Sequence, residues 1–596
     1  MPHSAWEDAA SAPPLVSRTM WLSSLISALP SFLFGYCISA LNTVLVAGDV
    51  GSPAACFSGE DVTCPKGTAL RDLDLPTVQQ EIATSLLIAG AWLGSMMASR
   101  PSDVLGRRAT LLYNNIFFIA GGVFCAAAVG SSGLFLGRFL GGMAVGCGSG
   151  VVPVLLTEVS SPKNRGAVGS IHQLMINIGI LFSGLLGYAL VEDVQHGWRY
   201  LQGFIAVPAV LQIALAAFVP ESPRWLVKQG RVQEAKEIMR KLHGGGRGAA
   251  AAVVGAVQRN AEIDREVEGM GGNKGEDQKG SVTWTEVYAH RRPVLVGVML
   301  MLLQAFTGIN TVIFYSTTVF EIAGVENTVL ATVAVGITLV VSTSVSGGLV
   351  DKAGRRSLML SGTLVMAVAL ATLSGSLFLL NGTPRAQGYL AVAATLLFIS
   401  GFSLGQGSVC WILLTEIVPS RIRAKAFSIF TAINWLSNFF IGLFTLSAIN
   451  AMGEWLLPAS SSSLEGGVSV GSGVGVGGGG GGGSSASVGE GGGKDVYFPS
   501  PRDQQKAGVA GLYAIFSLLS VLAVAFICFF VRETMGKSLE ELEEGGERRG
   551  GGAAIGLGAA RDIGGDSGVR LLDAAERCDS DGGDFDETED QGRVLL

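Results

Sequence analysis

The chain has 596 residues, 49% of them hydrophobic and 15% charged, with a mean hydropathy of +0.46. A water-soluble fold of that composition would leave more apolar surface outside than its charges can cover. That excludes soluble enzymes, nucleic-acid binders and small disulfide scaffolds, and leaves a polytopic membrane protein. The net charge of −7 is uneven: residues 543–596 carry 14 acidic against 6 basic side chains, so the tail holds −8 and the rest of the chain is close to +1.

A bilayer core of about 30 Å takes about 20 apolar residues per helix. Twelve runs qualify: 20–43, 82–99, 110–129, 134–156, 167–191, 200–220, 294–318, 328–350, 357–380, 388–415, 424–450 and 509–532. They are too long, and alternate too little, for barrel strands. The expected fold is therefore all-α, with twelve transmembrane helices in two six-helix bundles. A short N-terminal segment, 1–19, precedes the first bundle, 20–220. A polar connector, 221–293, separates it from the second, 294–532, and an acidic tail, 533–596, follows. The connector contains an amphipathic helical pattern at 224–243. Residues 459–493 are Ser/Gly/Val low complexity and read as an insertion between the last two spans.

Lys and Arg collect in alternate short loops: Arg100, Arg107, Arg108, Lys163, Arg165, Lys352, Arg355, Arg356, Arg421, Arg423 and Lys425. By the positive-inside rule these loops are cytosolic, and an even span count puts both termini there too. The N-terminus lacks a cleavable signal or transit pattern, so the expected location is the plasma membrane. Cys56 and Cys64 then lie in an external loop where a disulfide between them is chemically permitted. No cysteine pair has metal-ligand spacing, and Gly536-Lys537-Ser538 lacks the upstream glycine of a phosphate loop, Val531 standing there. No metal, no cofactor, no nucleic acid and no covalent catalysis are expected.

A repeat runs through the chain. Asp103-x-x-Gly106-Arg107-Arg108 recurs as Asp351-x-x-Gly354-Arg355-Arg356; Glu158 followed by Arg165 recurs as Glu416 followed by Arg423; PESPR (220–224) has a counterpart in RETMG (532–536). Three motif types in the same order indicate a duplicated six-helix unit. The acids and guanidinium forks at these loops have the chemistry of a salt-bridge latch on the cytosolic side: Asp103, Arg107, Arg108, Glu158, Arg165, Asp351, Arg355, Arg356, Glu416 and Arg423.

Amides inside spans are costly unless paired, and they match sugar hydroxyls because each both donates and accepts. Gln173 and Asn177 share a face of the fifth span; Gln304 and Asn310 flank a break signal at Gly308; Asn434 and Asn438 lie in the eleventh. Trp411 offers a flat apolar face.

Together GRR twice, GRFLGGMAVGCGSG (137–150), PESPRW (220–225), QAFTGIN (304–310) and VCWILLTEI (409–417) resemble the sugar porters of the major facilitator superfamily over residues 20–543. FLFGYCISALNTVLV (32–46) and VRETMG (531–536) are most similar to hexose facilitators of apicomplexan parasites. The resemblance implies a monomer in lipid, one central site and alternating access. It implies sugar contacts at Gln173, Gln304, Asn310, Trp411 and Asn434, and an external gate at Phe314 and Tyr315. Ala305 and Leu339 stand where relatives often have amides. Cys37 follows Gly35-Tyr36 where proton-coupled relatives have Asp, and the first span has no acid, so the expected activity is hexose uniport. The alternatives are a proton-coupled sugar or inositol symporter and a non-transporting sugar sensor.

Overall fold

The computed structural model describes residues 18–45, 67–160, 165–191, 194–243, 284–325, 327–379, 384–418, 422–457, 501–531 and 533. Cys56, Cys64, the 459–493 insertion and the acidic tail lie outside them. The spans are α1 (Arg18–Val44), α2 (Thr77–Val104), α3 (Arg107–Ala126), α4 (Ser131–Val159), α5 (Arg165–Val191) and α6 (197–214), then α7 (Arg291–Ile322), α8 (Thr328–Ala353), α9 (Arg355–Leu379), α10 (384–416), α11 (Arg423–Leu456) and α12 (Pro501–Phe530). Eleven of these are long and apolar enough to cross a membrane. All described residues belong to one compact unit, Met1–Leu539.

The exception is the expected span 200–220, which is broken into Gly197–Gly203 and Ala206–Ala214, with a 3-10 turn at Ala216–Phe218. Pro208 has no N–H to offer the Phe204 carbonyl four residues back. That carbonyl accepts from the Val207 N–H instead, at 2.9 Å. The connector pattern at 224–243 is likewise two helices, Pro223–Lys228 and Val232–His243, separated at Gly230, whose φ is +79°.

The glycine-rich run of α4 shows why so many glycines are here. A Cβ on Gly142 or Gly146 would run into the α2 backbone at Leu87 or Ala91. Without a side chain the two helices touch backbone to backbone, the main source of helix association where lipid removes the hydrophobic drive.

Proline also shapes α1. Pro30 leaves the Ile26 carbonyl without its helical donor. Gln212 of α6 supplies one: its Nε2 donates to Ile26 O at 2.8 Å, while its Oε1 accepts from Asn115 Nδ2 of α3 at 2.8 Å. Both side chains are fully buried, so this strut ties three spans where no water can substitute. Gln212→Leu strands the Ile26 carbonyl and one Asn115 donor. It is expected to destabilise the protein by about 1–3 kcal/mol, read as a lower melting temperature in detergent.

Candidate functional site

The middle of the second half is built from interrupted helices. α7 breaks at Thr307-Gly308, where Gly308 takes φ +86°, between Arg291–Phe306 and Ile309–Ile322. A π turn at Ser403–Gly407 interrupts α10. No proline is present in that turn; the small residues of Ser403-Leu404-Gly405-Gln406-Gly407 accommodate the wider loop. Both interruptions free backbone groups at depth, and side-chain amides collect there.

The amides form one chain. Gln304 Nε2 donates to the Gln406 carbonyl in the π turn at 2.8 Å. Asn434 Nδ2 donates to Gln304 Oε1 at 3.2 Å, and Asn438 Nδ2 to Asn434 Oδ1 at 3.2 Å. Asn310 Nδ2 closes the sequence on Asn438 Oδ1 at 2.5 Å. An amide has two N–H donors and two lone pairs. Each interior member uses one donor and one lone pair in the chain, so it keeps one of each for a ligand hydroxyl. Gln406 Nε2 anchors the turn by donating to Thr363 Oγ1 of α9 at 3.0 Å.

Of the five expected contact residues, Gln304, Asn310 and Asn434 thus meet. Gln173 belongs to a separate pair on α5, donating to Asn177 Oδ1 at 3.3 Å. Asn177 in turn donates to Thr343 Oγ1 at 2.8 Å and to the Leu339 carbonyl at 3.4 Å on α8, across the two halves. Trp411 lies against Phe427, with ring centroids 5.7 Å apart, in the apolar cluster that includes Cys410 and Phe430. Phe314 and Tyr315 are buried; Tyr315 donates to the Gly442 carbonyl of α11 at 2.7 Å. On α1, Asn42 donates to Ser316 Oγ at 2.8 Å and accepts from the Thr317 N–H at 3.3 Å, joining the halves beside this pair.

The repeated motifs form matching networks at the end of the spans where the arginine loops lie. Gly106 and Gly354 take φ +94° and +84° and start α3 and α9. Glu221 Oε1 accepts from the N–H groups of Arg107 (2.8 Å) and Arg108 (3.2 Å). Glu533 does the same for Arg355 (2.9 Å) and Arg356 (3.2 Å). A carboxylate there satisfies orphan N–H donors and meets the positive end of the helix dipole. Only glycine leaves it room: a Cβ on Gly354 would lie 2.8 Å from Glu533 Oε2. The second arginine of each motif reaches the end of its own half's last span, Arg108 donating to the Ala216 carbonyl just past α6 at 3.1 Å and Arg356 to the Cys528 carbonyl of α12 at 2.7 Å. The first arginine faces an acid: Arg107 Nε lies 3.2 Å from Glu158, off the line of a hydrogen bond, and Arg355 Nε 3.7 Å from Glu416, an ion-pair distance. Arg107 also contacts the exposed Asp103 at 3.4 Å. The side chains of Arg165, Asp351 and Arg423 lie outside the described residues. Among the described residues, each ion pair at this end stays within one half.

Sequence reasoning quoted PESPR and RETMG but gave Glu221 and Glu533 no role. Their recurrence beside the two GRR motifs was the available signal. It also passed over Arg138, buried in α4, whose guanidinium donates to the carbonyls of Ala83 (3.1 Å) and Cys37 (2.6 Å).

Comparison with known proteins places this architecture. The model of the family described as "Sugar (and other) transporter" matches residues 23–466. The chain belongs to this family. It is a multi-pass membrane transporter of the major facilitator fold and not an enzyme. It is 36% identical to plastidic glucose transporter 4 of Arabidopsis thaliana over 430 residues, 72% of each chain. It is 35% identical to the galactose-proton symporter of Escherichia coli K12 over 63% of this chain and 78% of the relative. It is 32% identical to facilitated glucose transporter protein 1 of Caenorhabditis elegans over 74% and 84%. Among solved structures, it resembles the xylose transporter XylE of E. coli in a partially occluded inward-open conformation, with TM-score 0.62 and 22% identity, covering 88% of this chain and 100% of that one. The family's repeat is visible in the paired caps. Glu221→Ala should cost about 1–2 kcal/mol of stability and Glu221→Gln less, and the same order should hold at Glu533, measured by thermal unfolding in detergent.

Proposed function

We propose that this protein is a hexose uniporter working by alternating access. The observation that carries the reading is the amide chain Asn310–Asn438–Asn434–Gln304, which ends on a π-turn carbonyl and keeps spare donors and acceptors for sugar hydroxyls. Gln173 and Trp411 complete the site from α5 and α10 when sugar is bound, Trp411 by covering an apolar ring face. Relatives named as glucose transporters support a hexose as substrate.

Uniport rests on α1. It has no carboxylate, and the Arg138 guanidinium meets the Cys37 carbonyl there instead of an acid. The protein sits in the plasma membrane with its arginine loops and both termini in the cytosol. Phe314 and Tyr315 gate the external side. The Arg–Glu pairs at the other end exchange partners between the halves as the cytosolic side shuts.

A relative named as a galactose-proton symporter supports a second reading, proton-coupled uptake. Labelled glucose uptake in cells lacking their own hexose carriers, with and without a protonophore, separates the two. Uniport predicts saturable uptake that ignores the protonophore and stops at equilibrium; symport predicts accumulation that collapses with it. Gln304→Ala and Asn434→Ala are each expected to raise KM about tenfold, because each leaves chain partners unsatisfied as well as removing a sugar contact.

A further inference from the structure

One acid among the described residues is buried within a span. Glu81, in the second turn of α2, is 3% exposed. It lies at the end of the bundle opposite the arginine loops. Its partners are on the other half of the protein: Oε1 accepts from the Ser447 N–H of α11 at 2.7 Å, and Oε2 accepts from Ser447 Oγ at 2.6 Å. Among the described residues no Lys or Arg forms an ion pair with it.

We infer that Glu81 and Ser447 form a clasp that holds this end of the transporter shut. The inference rests on the alternating-access reading of the family. A carboxylate taken out of water is costly unless its oxygens find donors, and charge-assisted bonds are the strong ones. Here both oxygens are satisfied by one residue of the opposite half, so the contact exists only while α2 and α11 stay together. When they part, water solvates the carboxylate and the serine. The clasp's net worth is therefore the difference between two well-satisfied states, large enough to bias the equilibrium and small enough to let it turn over. Asn42 with Ser316 and Thr317 adds a neutral contact between the halves at the α1–α7 seam.

The test is hydrogen exchange read by mass spectrometry on the full-length protein in nanodiscs without sugar, comparing wild type, Glu81→Ala, Glu81→Gln and Ser447→Ala. The clasp predicts faster exchange in Glu81→Ala over 77–91 and 440–456, with slower exchange over 99–108 and 409–418. That reciprocal pattern corresponds to about a tenfold shift in the ratio of the two states. Glu81→Gln, which keeps an acceptor for the Ser447 N–H, and Ser447→Ala, which removes only the hydroxyl, should fall between. Unchanged exchange in all variants overturns the clasp, and so does faster exchange at both ends, the mark of general loosening. A parallel glucose-uptake assay on wild type separates the two claims: absent uptake refutes the hexose reading and leaves the exchange result to decide the clasp.

Discussion

A peptide group inside a bilayer has no water to fall back on, and the interrupted spans of this protein answer that constraint. Twelve spans satisfy most backbone groups internally. At several departures from a regular helix a specific side chain takes over. Gln212 serves the carbonyl freed by Pro30, Gln304 serves the π-turn carbonyl of Gln406, and Glu221 and Glu533 serve the first N–H groups of α3 and α9. Function is placed at the same points, because an interrupted helix is what brings polar groups to the middle of an apolar body.

The two halves use their shared plan differently. At the arginine end they are near copies: glycine at positive φ, carboxylate cap, and a guanidinium on a carbonyl just past α6 or near the end of α12. At mid-depth they diverge. The second half contains the Gly308 break, the π turn and the amide chain, whereas the first contributes the tightly packed α2–α4 pair and the α5 amides. The second half thus supplies the more polar lining at mid-depth. Asn42, Glu81 and Asn177 are among the polar groups that join the two halves.

Much of this was legible beforehand, for a physical reason. Runs of about 20 apolar residues have few alternatives to a membrane helix, so the spans could be read directly, and the spacing of GRR and glutamate disclosed the duplication. The amide cluster was legible as chemistry, since an Asn at mid-span must find a partner; Gln304, Asn310 and Asn434 do so together. Three things depended on geometry that spacing does not carry. Where α6 breaks near Pro208, the freed Phe204 carbonyl turns to the Val207 N–H, a local choice that the proline alone does not fix. Glu221 caps a helix 114 residues upstream. Glu81 reads as one polar residue among several at a span end until Ser447 is seen opposite it.

The paired caps bear on how the chain is made. The start of α3 lacks its carboxylate until 114 further residues have been synthesised, and that of α9 until 178 more. Each cap is the first acid to follow the final span of its own half. The first six helices can therefore lock at their arginine end as soon as Glu221 leaves the ribosome, before any of the second six exists. The second half waits for Glu533, beyond the long glycine-rich insertion. Each half thus carries its own fastener at its trailing end, and the order of closure follows the order of translation.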